Sequence, residues 1–439
     1  MNHPKNQKLA AVFLIFTFLC GVALIIPPVT QRMAYYLEQI QIRIRYWIKP
    51  PERAIFVPNE QVAAIVFATL QPTYLALSKL PPQMEETGVQ ASTQPVLPTP
   101  ALIAVTPTPL PPKVVLEGVR YQSQHGLWNY CAPANLAMAL SYWGWQGDRM
   151  DTGRYLKPLD DDKNVMPYEM ENYVIDKTSY GVIYRYGGTL SLLKSLVAQG
   201  FPVLLETGVY IRGATTGKLS WTGHYTLVTG YDESDQVFIT QDSYYQPDYM
   251  VDYQDLLGEW RSFNYVFMVI YPPERQAEID SILEDAYADL AASALTALQK
   301  ANEEVMRLSQ IDRFFAMFNR GSSYVWLQDY ASAAASYDEA FRLYPSLPED
   351  RRPWRIMWYQ TGPYFAYYYS GRYQDVINLA NQTLNIHDPF LEESYYWRGR
   401  AKYALGDTEG ALKDIEESLK LHEGFIPSVE FLQEIGGSN

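Results

Sequence analysis

Three residues in this chain have the types and the order that nucleophilic chemistry requires: Cys131, His224 and Asp242. Cys131 stands directly before a run in which Leu136, Leu140 and Trp143 recur at helical spacing. Pro133 falls in the first turn of that run, where its missing N–H costs nothing. The thiol is therefore expected at a helix N-terminus. That end of a helix carries partial positive charge, which favours the nucleophilic thiolate, and it offers a free N–H to an oxyanion. His224 opens the run His224-Tyr225-Thr226-Leu227-Val228, a turn of Asp232 to Asp235 follows, and a second run ends at Asp242. A hairpin folded about residue 233 sets position 224 opposite position 242, with Cβ atoms ~5 Å apart. Such a pair lets a carboxylate hold the imidazole tautomer while the ring takes the thiol proton. A lone cysteine is more often a small buried side chain, so the reading rests on the three residues together.

These residues need a frame of helices and strands to meet. Within residues 114–272, Leu190, Leu193, Leu196 and Val197 repeat at helical spacing before Gly200, and FPVLLETGV, HYTLVTGY, QVFIT and YVFMVIY read as strands. The pattern is an α+β domain with helices first and sheet later. Tyr244, Tyr245, Tyr249 and Tyr253 follow Asp242 and either wall a cleft or pack in the core. Asp160, Asp161 and Asp162 lack the alternation of a calcium loop and read as a solvated loop. Gly213 to Lys218 (GATTGK) is one residue short of a phosphate loop and is followed by Leu219, so a surface turn and no nucleotide site is expected.

The stretch QSQHGLWNYCAPANLAMALSYWGW, with GHYTLVTGYD and ITQDSY, resembles the bacteriocin-leader-processing peptidases, cysteine peptidase family thirty-nine, over about residues 117–272. The resemblance implies a papain-like fold, a triad of Cys131, His224 and Asp242, and hydrolysis of peptide bonds. In that family a glutamine shortly before the cysteine lends its amide to the oxyanion hole; Gln124 matches it, with Gln122 in reserve. The family's cysteine is usually followed by glycine, whereas Ala132 stands here. If that position needs a positive φ, alanine costs about 1 kcal/mol and displaces the thiol.

From about Glu274 onward the strand signal stops. Gly321, Tyr324, Ala333, Tyr337, Ala340 and Pro345 follow one another at intervals that resemble the signature of tetratricopeptide repeats. Repeats are expected at about 314–347, 357–390 and 392–425 of an all-α solenoid spanning 273–436, with a helix at 274–308 capping the stack. One inter-repeat loop is enlarged around Glu349 to Arg355, and His387 and His422 are expected exposed in repeat loops. The concave face of such a stack suits a substrate or protein partner.

Ahead of these domains, Leu9 to Ile26 is continuously apolar and uncharged and follows Lys5 and Lys8. Residues 1–28 thus read as a transmembrane signal-anchor, with a cleaved signal peptide as the alternative. In the juxtamembrane segment 29–80, Met33, Tyr36, Leu37, Ile40, Ile44 and Trp47 lie at helical spacing opposite Arg32, Gln39, Arg43 and Arg45. They form either a helix on the lipid surface or a continuation of the span. Residues 81–113 are a Pro/Thr-rich stalk. Basic residues after the span argue for a cytoplasmic C-terminal side, but long domains are translocated largely regardless of them, so a single-pass protein with extracytoplasmic domains is expected.

The net charge is −14, with seven Lys and Arg against two Glu in residues 1–53, so the remainder is −19 and repels nucleic acid. Two cysteines, one of them in the apolar run, exclude a disulfide framework, and five histidines without paired spacing argue against a metal. No cofactor is expected. The sequence thus points to a membrane-anchored cysteine peptidase with docking repeats; a cell-wall peptide amidase with the same triad, or a catalytically silent binding scaffold, are the alternatives.

Overall fold

Alternating apolar positions in the middle of the chain build one antiparallel sheet. The strands are β1 (Lys113–Val115), β2 (Gly181–Arg185), β3 (Val203–Arg212), β4 (Leu219–Asp232), β5 (Val237–Gln241), β6 (Tyr249–Asp252) and β7 (Phe267–Tyr271). They run in the order β2-β7-β3-β4-β5-β6, and β1 pairs with the far end of β4. The computed structural model describes residues 37, 40–59, 61, 109–127, 129–159, 162–213 and 217–436. The expected span and residues 81–108 of the stalk lie outside them, and among the described residues no helix is long and apolar enough to cross a membrane.

The period of two sorts side chains onto the two faces. On one, Leu204, Tyr225 and Leu227 meet Leu136 and Leu140 of helix α1 (Cys131–Tyr142). On the other, Val203, Leu205, Val228 and Val269 meet Leu193 and Leu196 of α4 (Leu190–Ala198) and Leu256 and Trp260 of α5 (Tyr253–Arg261). Between α1 and α4 lie α2 (Arg149–Leu156) and α3 (Pro167–Lys177).

The β4–β5 hairpin departs from its expected register. Leu227 pairs with Gln241 and Val228 with Thr240, then a bulge shifts the ladder so that Gly230 pairs with Ile239. At the bulge β1 crosses so closely that a Cβ on Gly230 would lie 2.6 Å from the Val114 carbonyl. Position 224 therefore does not face position 242; extending the register sets Asp242 opposite Thr226, just past the end of β5.

Beyond β7 the expected helix at 274–308 is two helices. Glu284, at φ 51°, and a turn at Asp285–Tyr287 separate α6 (Gln276–Leu283) from α7 (Leu290–Arg307). The break lets Ile279 and Leu283 pack into the sheet domain while α7 lies along α8 (Gln310–Trp326). Then come α9 (Tyr330–Leu343), the short α10 (Ile356–Tyr359), α11 (Gly362–Tyr369), α12 (Tyr373–Gln382), α13 (Glu392–Ala404), α14 (Thr408–Leu421) and α15 (Ile426–Gly436). Small residues such as Ala333, Ala366, Ala401 and Ala411 are fully buried where these helices cross.

Three further expectations change. His387 is buried rather than exposed, with its carbonyl accepting the Tyr46 hydroxyl, and His422 bonds Glu392 at 3.1 Å. Asp162 is buried beside Lys157 and Lys163 rather than solvated, while Asp160 and Asp161 lie outside the described residues. The helical segment 40–48 packs Ile42 and Tyr46 against Trp354, Trp358, Leu384 and Leu391, so the repeats hold one of its faces. Ile40, Ile44, Trp47 and Ile48 point to solvent, Trp47 being 84% exposed.

Candidate functional site

Where β5 ends at Gln241, the edge of β4 over residues 220–226 is left without a strand partner on that side, and α1 comes in to cover it. Asn135, one turn into α1, does the joining: its amide donates to the Tyr225 carbonyl at 2.7 Å, to Ser243 Oγ at 2.9 Å and to the Cys131 carbonyl at 2.9 Å. The helix start is thereby held against the strand that carries His224. Cys131, the first residue of α1, is partly buried, and the His224 ring and the backbone N–H groups of Tyr225 and Ala132 lie close enough to act on its sulfur.

His224 is 5% and Asp242 4% exposed, and His224 Nε2 lies 2.9 Å from Asp242 Oδ2. The other carboxylate oxygen accepts from the N–H groups of Tyr244 at 2.9 Å and Tyr245 at 3.0 Å. The loop beyond β5 thus delivers the carboxylate diagonally instead of a directly opposed hairpin pair. With Nε2 engaged, Nδ1 is the ring nitrogen left for the thiol. The structure thus brings the thiol to the imidazole that the carboxylate holds.

The charges of these three groups reinforce one another. Burial alone would push the Cys131 thiol up, but the hydrogen bond and charge of His224 and the two backbone N–H groups hold it below its ordinary value. Burial lowers the affinity of the His224 ring for a proton, yet the charge and hydrogen bond of Asp242, with those of Cys131, raise its pKa to about 10. Burial likewise works against ionised Asp242, and the His224 charge with the two N–H donors keeps its carboxyl below the usual range. Both shifts favour a charged pair of thiolate and imidazolium.

Gln124 and Gln122 part company. Gln124 Oε1 accepts from Ser243 Oγ at 2.8 Å, and its backbone N–H donates to the Ser243 carbonyl at 2.8 Å. Fixing the oxygen in this way leaves the NH2 group as the side chain's donor. Gln122 Oε1 instead accepts from the Arg149 N–H at 2.6 Å, at the start of α2. Ala132 sits in the first turn of α1 and is not among the positive-φ residues, so alanine carries no backbone strain there.

Several neighbours were not anticipated from the sequence. Ser243 and Asn135 carry no motif of their own. Glu206 is buried on β3 opposite Tyr225, and its only signal was a charge interrupting the apolar run FPVLLETGV. Glu259 of α5 sits near His224 and Asp242, where burial pushes its carboxyl up to about 7. Tyr359, at the end of α10, bonds Thr222 at 2.8 Å and lies so near Gly223 that a Cβ there would be 3.0 Å from its ring. Of the four tyrosines after Asp242, Tyr244 contacts His224 and His125, Tyr245 and Tyr249 stack on each other, and Tyr253 is core. Gly213 and Lys218 close the β3–β4 turn through a 2.9 Å backbone bond. Among the described residues no group of His, Cys, Asp and Glu is arranged to hold a metal.

Residues 116–268 match the model of the Peptidase_C39 like family, and residues 392–423 match a tetratricopeptide repeat. Residues 116–268 are a peptidase C39-like domain. Two solved structures resemble this C39-like domain: a protein described as a C39-like peptidase from Bacillus anthracis, and Xylellain, a cysteine protease from Xylella fastidiosa. The first is 16% identical, with 36% of this chain and 96% of that one covered and a TM-score of 0.30. The second is 16% identical, with 37% and 87% covered and a TM-score of 0.29. No curated protein matches.

Proposed function

We propose that the chain is a membrane-anchored cysteine peptidase that hydrolyses peptide bonds with Cys131 as nucleophile, His224 as general base and acid, and Asp242 orienting the ring. The observation that carries this reading is the sulfur at the start of α1 set beside His224, whose ring is bonded to Asp242. The Cys131 proton rests on His224, and the thiolate attacks the scissile carbonyl carbon, whose π electrons move onto oxygen. The resulting oxyanion meets the NH2 of Gln124 and the Cys131 backbone N–H, which at the first helical position has no intrahelical acceptor. As the tetrahedral carbon collapses, the amine leaves with the His224 proton. Water then gives a proton to His224 and its oxygen to the acyl carbon, and the thiolate departs.

Two further features support anchoring. Leu9 to Ile26 is long enough to span a bilayer, and the solvent face of segment 40–48 offers Ile40, Ile44, Trp47 and Ile48 to a lipid surface. Deletion of residues 1–28 is expected to release the protein from carbonate-washed membranes.

Iodoacetamide at pH 6 tests the chemistry, because an ordinary thiol is protonated there. Cys131 should be alkylated at least tenfold faster in the wild type than in His224→Ala, and Cys131→Ala should cleave no peptide. Equal alkylation in both proteins would leave a binding scaffold in place of an enzyme.

A further inference from the structure

Between the C39-like domain and the repeats lies a cavity of about 360 Å³, and Tyr359 of its lining lies against Gly223, the residue before His224. Aromatic rings from both sides line it, among them Tyr184, Tyr186, Trp326, Tyr359 and Phe365. Glu206 is the one charged residue among the described lining. It is close enough to Cys131 that the sulfur's charge acts on it. Asn264 lines the same cavity; it is 4% exposed, and its Oδ1 is buried with no donor. Its amide is committed to Ser323 Oγ at 3.1 Å, which sets the oxygen's direction.

We propose that this cavity is a specificity subsite for a lysine or arginine side chain of the peptide, held by Glu206 and Asn264 Oδ1 within the aromatic rings. The proposal rests on the peptidase reading for the source of the ligand, not for the cavity's chemistry. A wholly apolar side chain would seal Glu206 and Asn264 Oδ1 away with neither paired to it, and an acidic one would meet Glu206 directly. An ammonium or guanidinium supplies N–H donors to both oxygens, and the ring faces attract its charge. Burial first, and the Cys131 charge second, push the Glu206 carboxyl well above its usual range. The Tyr225 hydroxyl donates to the Val165 carbonyl at 3.0 Å. A bound cation favours the ionised carboxylate, so affinity for a basic side chain should rise with pH more than affinity for its neutral isostere. Because Trp326, Tyr359 and Phe365 come from the repeats, the subsite exists only when both domains are docked.

The test uses full-length Cys131→Ala protein in detergent micelles and alanine-based hexapeptides carrying lysine or norleucine at each position in turn. Calorimetry should find one position at which lysine binds at least tenfold more tightly than norleucine, with the ratio growing from pH 6 to 8. Adding Glu206→Gln should bring the ratio to within twofold. Trp326→Leu, on the repeat side, should weaken the lysine peptide even if the Glu206 variant fails to fold. Equal binding of both peptides, binding of neither, or a lysine preference that survives Glu206→Gln overturns the proposal. Cleavage by the wild type is scored separately: lysine selectivity without hydrolysis sinks the peptidase reading alone, and hydrolysis without lysine selectivity sinks the subsite alone.

Discussion

At the scale of single residues, the titration of His224 is the most exposed consequence of the site. Its pKa is raised to about 10, and Asp242 supplies the leading favourable charge. The reactive ion pair exists between the lowered thiol pKa and that of the ring, so kcat/KM for a peptide should fall on an alkaline limb near pH 10. Asp242→Asn should move that limb acidward by more than one unit. The same shift bears on stability. A ring whose folded pKa exceeds its unfolded value stabilises the fold fully below about pH 6.5, and that contribution is lost as pH rises toward 10. The Asp242→Asn variant should show a smaller loss over that window in chemical denaturation. Gln124→Ala, which removes an oxyanion donor, should lower kcat by about 10²–10³ with little change in KM. Gln122→Ala should leave kcat within threefold, because its side chain serves the start of α2.

Among elements, the junction of α1 with the open edge of β4 decides whether the site assembles. Asn135 is fully buried and ties Tyr225, Ser243 and the helix start together. Replacing it by leucine strands the Tyr225 carbonyl and costs about 1–3 kcal/mol of stability. It also frees Ser243 to rotate, so Asn135→Leu should slow alkylation of Cys131 even where the protein remains folded. At Gly223→Ala, the new methyl would meet Phe263 at 2.9 Å and Tyr359 at 3.0 Å. Both rings must then shift beside His224, and a drop in kcat/KM with an intact circular dichroism spectrum is the expected result.

For the whole molecule, the contact between domains is itself titratable. Asp162 and Glu169 from the C39-like domain face Glu392 and Glu393 at the start of α13, with Lys157, Lys163 and His422 nearby and Asn164 donating to Glu393 at 3.0 Å. Burial pushes Asp162 up to about 6 and Glu392 up to about 8. The folded protein therefore holds protons that the unfolded chain has already released. Stability should fall as pH rises from about 4 toward 8, by up to about 1.4 kcal/mol per pH unit for each such group. Glu392→Gln should flatten this slope between pH 4.5 and 6.5, a range in which the His224 contribution is constant.

What the sequence determined by itself was whatever depends on near neighbours along the chain. A proline in the first turn and an apolar helical period placed Cys131 at a helix start, alternation marked β3, β4, β5 and β7, and small residues at fixed intervals announced stacked helices. The tertiary structure decided what depends on distant segments meeting. A bulge at Gly230, where β1 crosses, shifts the register, so Asp242 reaches His224 from a loop. The segment around Tyr46 and Pro51 covered His387, and docking of the repeats buried Asp162 and brought Tyr359 against Gly223, because burial is a property of the surface a segment is pressed against. No local pattern records that surface, and only the folded chain brings Glu206, Asn264 and the rings of the repeats around one cavity.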